Sequence, residues 1–264
     1  LFFSAADGNQ ISIDDIDAST SPVQVTLSAV NGVLTLDDVV GLSFSFTDIN
    51  GTGTGDGTDD STMTFRGAIG DINTALDGLS FTPDLNYNGT GSLTITTNDL
   101  GNTGIGSPLS DTDSVGITVT AVNDAPVING PAGLTVDEDA SITISAANMN
   151  GVSVDDVDLG AGKFAVTISL DQGSLTLRRT TGLTFTGGAD GTSSMTFTGS
   201  RTAVNSALDG SIYSPDPGYS GSDTLSLSVS DQGSTGSGGP QTDDVDIPIT
   251  VRGINDEPVL TLAD

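Results

Sequence analysis

Two tandem all-β domains, each an antiparallel β-sandwich interrupted by one short helix, are what this sequence predicts. Three observations carry the prediction: a long internal repeat, short runs of alternating apolar and polar residues between turn formers, and an acidic complement that is almost entirely aspartate. Of 35 acids only Glu138 and Glu257 are glutamate. Glutamate suits helices, whereas aspartate suits caps, turns and oxygen-rich metal sites. A chain that takes nearly all its charge as aspartate is rich in loops and poor in helix.

The repeat sets the domain organisation. From Gly67 onward the two copies run at a constant offset of 132 residues: GAIGDINTALDG at 67 matches GSRTAVNSALDG at 199, and AVNDAPV at 121 matches GINDEPV at 253. Earlier the offset is 141, with SAADGNQISIDDID at 4 matching SAANMNGVSVDDVD at 145, so the first copy carries nine extra residues within TDINGTGTGDGTDDS. Such an insertion belongs in a surface loop, here a flexible hairpin loop. The expected division is 1–122, 123–254, and a remainder 255–264 that holds a linker and the start of a further strand.

Taken in order, the strand candidates of the first copy are VQVTLSAV, VLTL, LSFSF, SLTITT and SVGITVTAV. Those of the second are AVTISL, SLTL, LTFTG, TLSLSVS and DIPITV. Period-two alternation between Gly, Asp, Asn and Pro marks each as a strand, and many short strands with regular turns make a sandwich. The exception is IGDINTALDGL, where Ile69, Ile72, Ala75, Leu76 and Leu79 recur at helical spacing, kept in the second copy by Val204, Ala207 and Leu208. That spacing predicts a short helix plugging the core in each domain.

The second copy has residues 126–142 between its linker and the segment matching the chain start, and the first copy has no counterpart. Its opening strand is missing, while PVLTLAD at 258 reads as the beginning of another. The chain therefore reads as a piece of something longer, cut out of phase with its domains. An open sheet edge is an association hazard, so strand complementation by a neighbouring molecule is expected.

Composition excludes several functions. Six cations against 35 acids leave a formal charge of −29, which disfavours nucleic acid and anionic membrane surfaces as partners. No run approaches the ~18 apolar residues of a spanning helix, and LFFSAADG lacks the basic flank of a secretory leader. There is no Cys and no His, so thiol chemistry, disulfides and His-based triads are absent. With 35% hydrophobic residues in well-patterned runs, the chain still buries a core.

The motifs I-S-I-D-D-I-D, N-G-V-L-T-L, M-T-F, I-N-x-A-L-D-G-L, F-T-P-D-x-N-Y-N-G and A-V-N-D-A-P-V, nearly all echoed in the second copy, together resemble the cadherin-like repeats of giant bacterial surface adhesins exported by type I secretion. The resemblance covers nearly the whole chain. It implies cadherin-like, immunoglobulin-like Greek-key sandwiches strung end to end, extracellular at the cell surface, with Ca²⁺ at the junctions and a role in adhesion or biofilm.

The same resemblance implies the ligands. At the middle junction they are linker Asn123 and Asp124, the Asp-x-Asp pair Asp156 and Asp158, and the late Asp231. The lower end of the second domain offers Glu138, Asp223, Asn255 and Asp256; the upper end of the first offers Asp15, Asp17 and Asp99. Gly91 stands where the second copy has Asp223, so the middle junction is expected to hold fewer ions. Calcium requires roughly six to eight oxygen ligands, which clustered Asp and Asn supply. Two aspartates one residue apart share a side of an extended segment and clasp one ion. Asn and Asp ahead of proline are also ordinary turn formers, though the recurrence of the whole set favours metal.

No catalytic residues are predicted, since chance carboxylate pairs are inevitable among 35 acids. Two functions remain: a calcium-rigidified spacer or filament-forming adhesion segment whose partners are neighbouring repeats, and a calcium-dependent module binding a surface polysaccharide or cell ligand. The absence of Trp and the presence of only three Tyr weigh against the second, which calls for aromatic faces.

Overall fold

A computed structural model describes residues 1–44, 55–102, 105–233 and 235–257. The chain divides into two compact units, Leu1–Ala121 and Val122–Asp264. The insertion loop predicted around 47–61 falls partly outside the described residues, as does the strand start at 258.

In the first unit the strands are β1 (Phe2–Phe3), β2 (Val23–Val30), β3 (Gly32–Thr35), β4 (Ser43–Phe44), β5 (Thr62–Gly67), β6 (Leu79–Pro83), β7 (Gly89–Asn98) and β8 (Ser110–Val119), with helix α1 over Ile69–Leu76. They form a three-stranded sheet, β1-β6-β3, and a five-stranded one, β4-β5-β2-β7-β8, with every pairing antiparallel. Alternation does what it predicts: Val23, Val25 and Leu27 of β2 are buried while the residues between them are half-buried. Both sheets feed one core, in which Leu27, Leu34, Phe65, Leu76, Leu79 and Leu93 have no solvent exposure.

The second unit comprises β9 (Val127–Asn129), β10 (Leu134–Asp137), β11 (Ile142–Ile144), β12 (Ser153–Asp155), β13 (Phe164–Ser169), β14 (Ser174–Thr176), β15 (Leu183–Gly188), β16 (Ser194–Gly199), helix α2 (Arg201–Leu208), β17 (Ser211–Ser214), β18 (Gly221–Ser230) and β19 (Thr242–Arg252). Its sheet β11-β17-β14 repeats the small sheet of the first unit. Its large sheet repeats the other and adds one strand, in the order β10-β19-β18-β13-β16-β15, with β10 parallel to β19. A separate two-stranded piece pairs β9 with β12. Antiparallel sandwiches with one short helix each, the fold class read from the sequence, are what the structure has.

Both helices sit where the spacing placed them, except that α1 ends at Leu76 and Leu79, counted at helical spacing, opens β6 past the turn at Gly78. Ile72, Ala75 and Leu76 of α1 and Val204, Ala207 and Leu208 of α2 are buried, each larger side chain contributing about 1.5–3 kcal/mol by leaving water. Ser200 caps α2 through the Ala203 N–H, whereas Ala68 gives α1 no side-chain cap. Phe44 packs against Phe65 at 5.5 Å between ring centroids, and Phe185 against Phe197 at 5.6 Å. The aromatic pair is thus preserved across the point where the repeat offset changes.

Candidate metal centre

Both copies place an asparagine on the helix, and it aims the acidic segment. Asn205 accepts the Val154 N–H and donates to the Val154 carbonyl, both at 2.8 Å. Asn73 brackets Ile13 in the same way, at 2.8 and 2.9 Å. Sequence reasoning used this position only as part of a motif. The signal for its role was an Asn kept at the same place in the helix of both copies.

Beyond β12 the chain does not stay extended. Asp156 Oδ1 accepts the N–H groups of Asp158 and Leu159, both at 3.0 Å, winding the backbone into a turn around its own carboxylate. Asp156 and Asp158 therefore meet through a turn rather than through strand alternation. Leu159 is buried and anchors the turn. Asp155 faces outward to an exposed ion pair with Arg201 at 2.5 Å, and the Asp156 N–H and that guanidinium hold its carboxyl below the usual range.

The linker lies along this turn. Asn123 donates its backbone N–H to the Ser237 carbonyl at 2.8 Å and its side-chain amide to Asp231 and to the Gly239 carbonyl, the latter at 3.0 Å. The Asp124 N–H donates to Asp158 Oδ2 at 3.1 Å. Asp231 Oδ1 accepts from Gly233 at 2.7 Å and Gln241 at 2.9 Å. Burial pushes the Asp231 pKa up, but these N–H donors and the Asn123 amide outweigh it and keep the group ionised. Hydrogen bonds pair Asn123 with Asp231 and tie Asp124 and Asp156 to Asp158, and the Asn123–Asp124 peptide joins the two groups.

Three oxygens in the cluster are buried without a donor: Asn123 Oδ1, Asp156 Oδ2 and Asp158 Oδ1. Unsatisfied buried oxygens of this kind each cost about 1–3 kcal/mol, more when charged. Burial, with the Asp158 carboxyl against it, pushes the Asp156 pKa up to about 6. An oxygen-only donor set fits a hard cation such as Ca²⁺. Among the described residues, however, no group of three or more Asp, Glu, His or Cys side chains is assembled to hold a metal unaided. Carbonyl groups or further ligands would have to complete the shell.

The first unit builds the same turn with fewer parts. Asp15 Oδ1 accepts from Asp17 and Ala18 at 3.1 and 3.2 Å, and Asp99 Oδ1 from Gly101 and Leu109, both at 2.8 Å. The bond between the two side chains lowers the Asp15 pKa and raises that of Asp17. Asp15, Asp17 and Asp99 line one cleft of about 320 Å³ together with Ile13, Leu109 and Asp111.

At the other end of the second unit the predicted residues part company. Glu138 is buried, accepts the Ile254 N–H and donates its own to Arg252, while Asn255 and Asp256 just beyond are exposed. Asp223 is turned inward. Its Oδ1 accepts from Asp171, Gln172 and Thr224 at 3.0, 3.1 and 2.7 Å, and its Oδ2 accepts the Tyr213 hydroxyl at 2.7 Å. Burial and then Asp223 raise the Tyr213 pKa.

No family model matches this sequence, and no curated protein matches it. Among solved structures it is similar to extracellular cadherin domains 1–5 of protocadherin gamma B2, at 16% identity over 86% of this chain and 34% of that one, with a TM-score of 0.33. It is similar also to human CDH23 EC21-23, at 14% identity, 91% and 66% coverage and a TM-score of 0.31. A third is the surface layer protein SbsC, domains 1–6, at 13% identity, 97% and 23% coverage and a TM-score of 0.24. The chain spans about a third of the protocadherin's length.

Proposed function

We propose that this chain is a calcium-rigidified structural or adhesion segment of an extracellular, cell-surface protein, built from repeats like those of type I-secreted bacterial adhesins and serving as spacer or filament-forming unit. One repeat runs to residue 122 and the next from 123 to 254. The observation that carries the reading is the trio of buried, donorless oxygens on Asn123, Asp156 and Asp158. A Ca²⁺ ion would neutralise carboxylates whose mutual repulsion, at an effective dielectric near 20, reaches about 4 kcal/mol for a pair ~4 Å apart. Asp124 and Asp231 would hold the linker against that ion.

Asp15, Asp17 and Asp99 would serve an equivalent ion at the first unit, and Glu138, Asn255 and Asp256 one at the far end of the second. Asp223 would join the last only by exchanging its four protein donors. The alternative of a calcium-dependent carbohydrate- or cell-binding module gains nothing from the tyrosines: Tyr213 is buried, and Tyr87 and Tyr219 donate to carbonyls of their own turns, Thr90 and Ser222. Enzymatic activity forms no part of the proposal.

Calorimetric titration of chelator-treated protein with calcium tests it. Extracellular modules bind at about 10⁻⁴–10⁻³ M, so ~10 mM calcium should stabilise by about 1.4–2.7 kcal/mol per site and raise the melting temperature. NaCl of equal ionic strength, which only screens, should do less. Unchanged melting in calcium, or an equal rise in the Asp156→Asn/Asp158→Asn double variant, overturns the proposal.

A further inference from the structure

Both units build the same loop against the same helix, and they give it opposite charge. After β3 the Asp37 N–H donates to the Ala75 carbonyl at 3.3 Å, and after β14 the Arg178 N–H donates to the Ala207 carbonyl at 2.9 Å. The two side chains then lie over the glycine that follows each helix, since a Cβ at Gly78 or Gly210 would come within 2.8 Å of Asp37 or Arg178. Asp77 and Asp209 close the frame by accepting the N–H of Ala5 or Ala146. Within it, Asp37, Asp38 and Asp71 of the first unit become Arg178, Arg179 and Ala203 of the second. Four carboxylates stand in one unit where the other has two guanidiniums and one carboxylate.

Each loop and helix border a cleft. In the first unit it measures about 440 Å³ and is lined by Gln10, Asp37, Asn73, Thr74 and Asp77. In the second it measures about 320 Å³, and Arg178, Arg179, Thr202 and Ser206 line it with Asn205 and Asp209. Residues 122–142 take no part in lining it. Arg201 and Arg252 are held by Asp155 and Asp137 at 2.5 and 2.7 Å, but Arg178 stands 3.8 Å from Asp209, and Arg179 is exposed with no ion pair among the described residues. Each surface also carries an apolar group that the other lacks. Val40, 75% exposed, follows the aspartates where the second unit has Thr181. Met149, 93% exposed, lines a neighbouring cleft that shares Asn205 and Asp209, where the first unit has Gly8.

We propose that these surfaces are the two halves of one interface: the Arg178–Arg179 loop and exposed face of α2 in one copy of this chain dock on the Asp37–Asp38 loop and α1 of a second copy. Guanidinium forks match carboxylates in pairs, which sets the orientation of the contact. Exposed ion pairs alone hold little, so Val40 and Met149 supply the apolar contact beside them. Like surfaces repel, so the first unit of one copy meets the second unit of another. A formal charge of −29 makes most other approaches of two copies repulsive. The contact deepens the adhesion part of the proposed function, yet it needs no ion.

Charge exchange tests it, by sedimentation of the 264-residue chain in chelator and in calcium. Surface charge pairs give weak contacts, so concentrations from about 10 μM to about 1 mM are needed. Salt near 0.15 M, with a screening length of about 8 Å, suppresses repulsion between whole chains more than attraction between groups in contact. The unmodified chain should self-associate. Arg178→Asp/Arg179→Asp should weaken this about tenfold or more, and so should Asp37→Arg/Asp38→Arg, whose loop the second unit already builds with arginines. Mixing the two variants should restore association, because one then carries acids on both surfaces and the other arginines on both. A chain with Arg178→Ser/Arg179→Ser and Thr112→Arg/Ser114→Arg keeps the formal charge but moves the arginines to β8, and should stay monomeric with an unchanged melting temperature. A monomeric unmodified chain throughout this range overturns the proposal. So does a mixture that fails to associate, or a moved-arginine chain that associates as strongly as the original. Association in chelator with melting that ignores calcium would reject the calcium reading and leave this contact standing; calcium-stabilised melting in a chain that stays monomeric would do the reverse.

Discussion

Tyr213 and Asp223 form a buried pair in the second unit, and the first unit has replaced both, with Phe81 and Gly91. Phe81 is as buried as Tyr213, and a side chain at Gly91 would meet its ring at 3.1 Å. Where the hydroxyl goes, the carboxylate that received it goes too, which marks Asp223 as a structural acceptor. Asp223→Ala should destabilise the second unit by about 2–4 kcal/mol, because it leaves the Asp171, Gln172 and Thr224 N–H groups without this acceptor and the Tyr213 hydroxyl with only the Gln172 carbonyl. In a Tyr213→Phe background the same change should cost at least ~1 kcal/mol less; chemical denaturation of the four variants measures this. Asp156 gives a second prediction. Its carboxyl titrates at about 6 when folded, against 3.8 ordinarily, so the folded state binds the extra proton and stability falls as pH rises from about 4 through 6. Chelated protein should therefore lose about 1–3 kcal/mol across that window, and Asp156→Asn should lose less. Calcium should remove the difference. Melting curves at pH 4.5 and 7, read as wild type against variant, cancel the general charge effect.

Among the elements, the short helices do more than plug the core. Asn205 on α2 holds β12 by two bonds, and β12 launches the Asp156 turn. Asn205→Ala leaves the Val154 N–H and carbonyl without these partners and should cost about 1–3 kcal/mol. It should also weaken calcium binding severalfold, though the residue is not among the proposed ligands. Titration calorimetry separates it from a purely structural change, since Asn73→Ala on α1 should leave the second unit's binding intact. Strands β7 and β18 each open on a glycine with φ of +131° or +147°. A side chain there would come within 3.0 or 2.8 Å of the hydroxyl of Tyr87 or Tyr219, so the tyrosine clamps of these turns demand glycine.

For the molecule as a whole, charge is the governing quantity. A formal charge of −29 on 264 residues makes the folded state self-repelling, and screening with salt relieves part of this everywhere. On the proposed reading, calcium would differ in acting at a few turns where carboxylates such as Asp156 have been desolvated. In chelator, amide exchange should be fastest around residues 123–124 and 156–158, and calcium should slow it there by at least tenfold while leaving β13 and β18 unchanged. Uniform slowing would indicate screening alone, and mass-spectrometric exchange distinguishes the two.

The sequence by itself determined the repeat, the strands with clean alternation and the helix within each domain, because burial on one face writes a period directly into residue order. It also singled out Asn123, Asp124, Asp156, Asp158 and Asp231, which lie together in the fold, but not that Asp223 turns away from Glu138, Asn255 and Asp256. Short strands such as β5 and β6 were less legible as strands, since a few residues carry too little pattern. Only the tertiary structure decided how the acids are used: Asp156 meets Asp158 through a turn, Asp223 spends its oxygens on Tyr213 and a neighbouring loop, and Asp99, Asp17 and Asp111 line one cleft. Those outcomes depend on which N–H groups the fold delivers to each carboxylate. Some donors are local, as at the Asp156 turn, but those that settle Asp223 and Asp158 come from Asp171, Gln172 and Asp124, tens of residues away along the chain, where residue order gives no local signal.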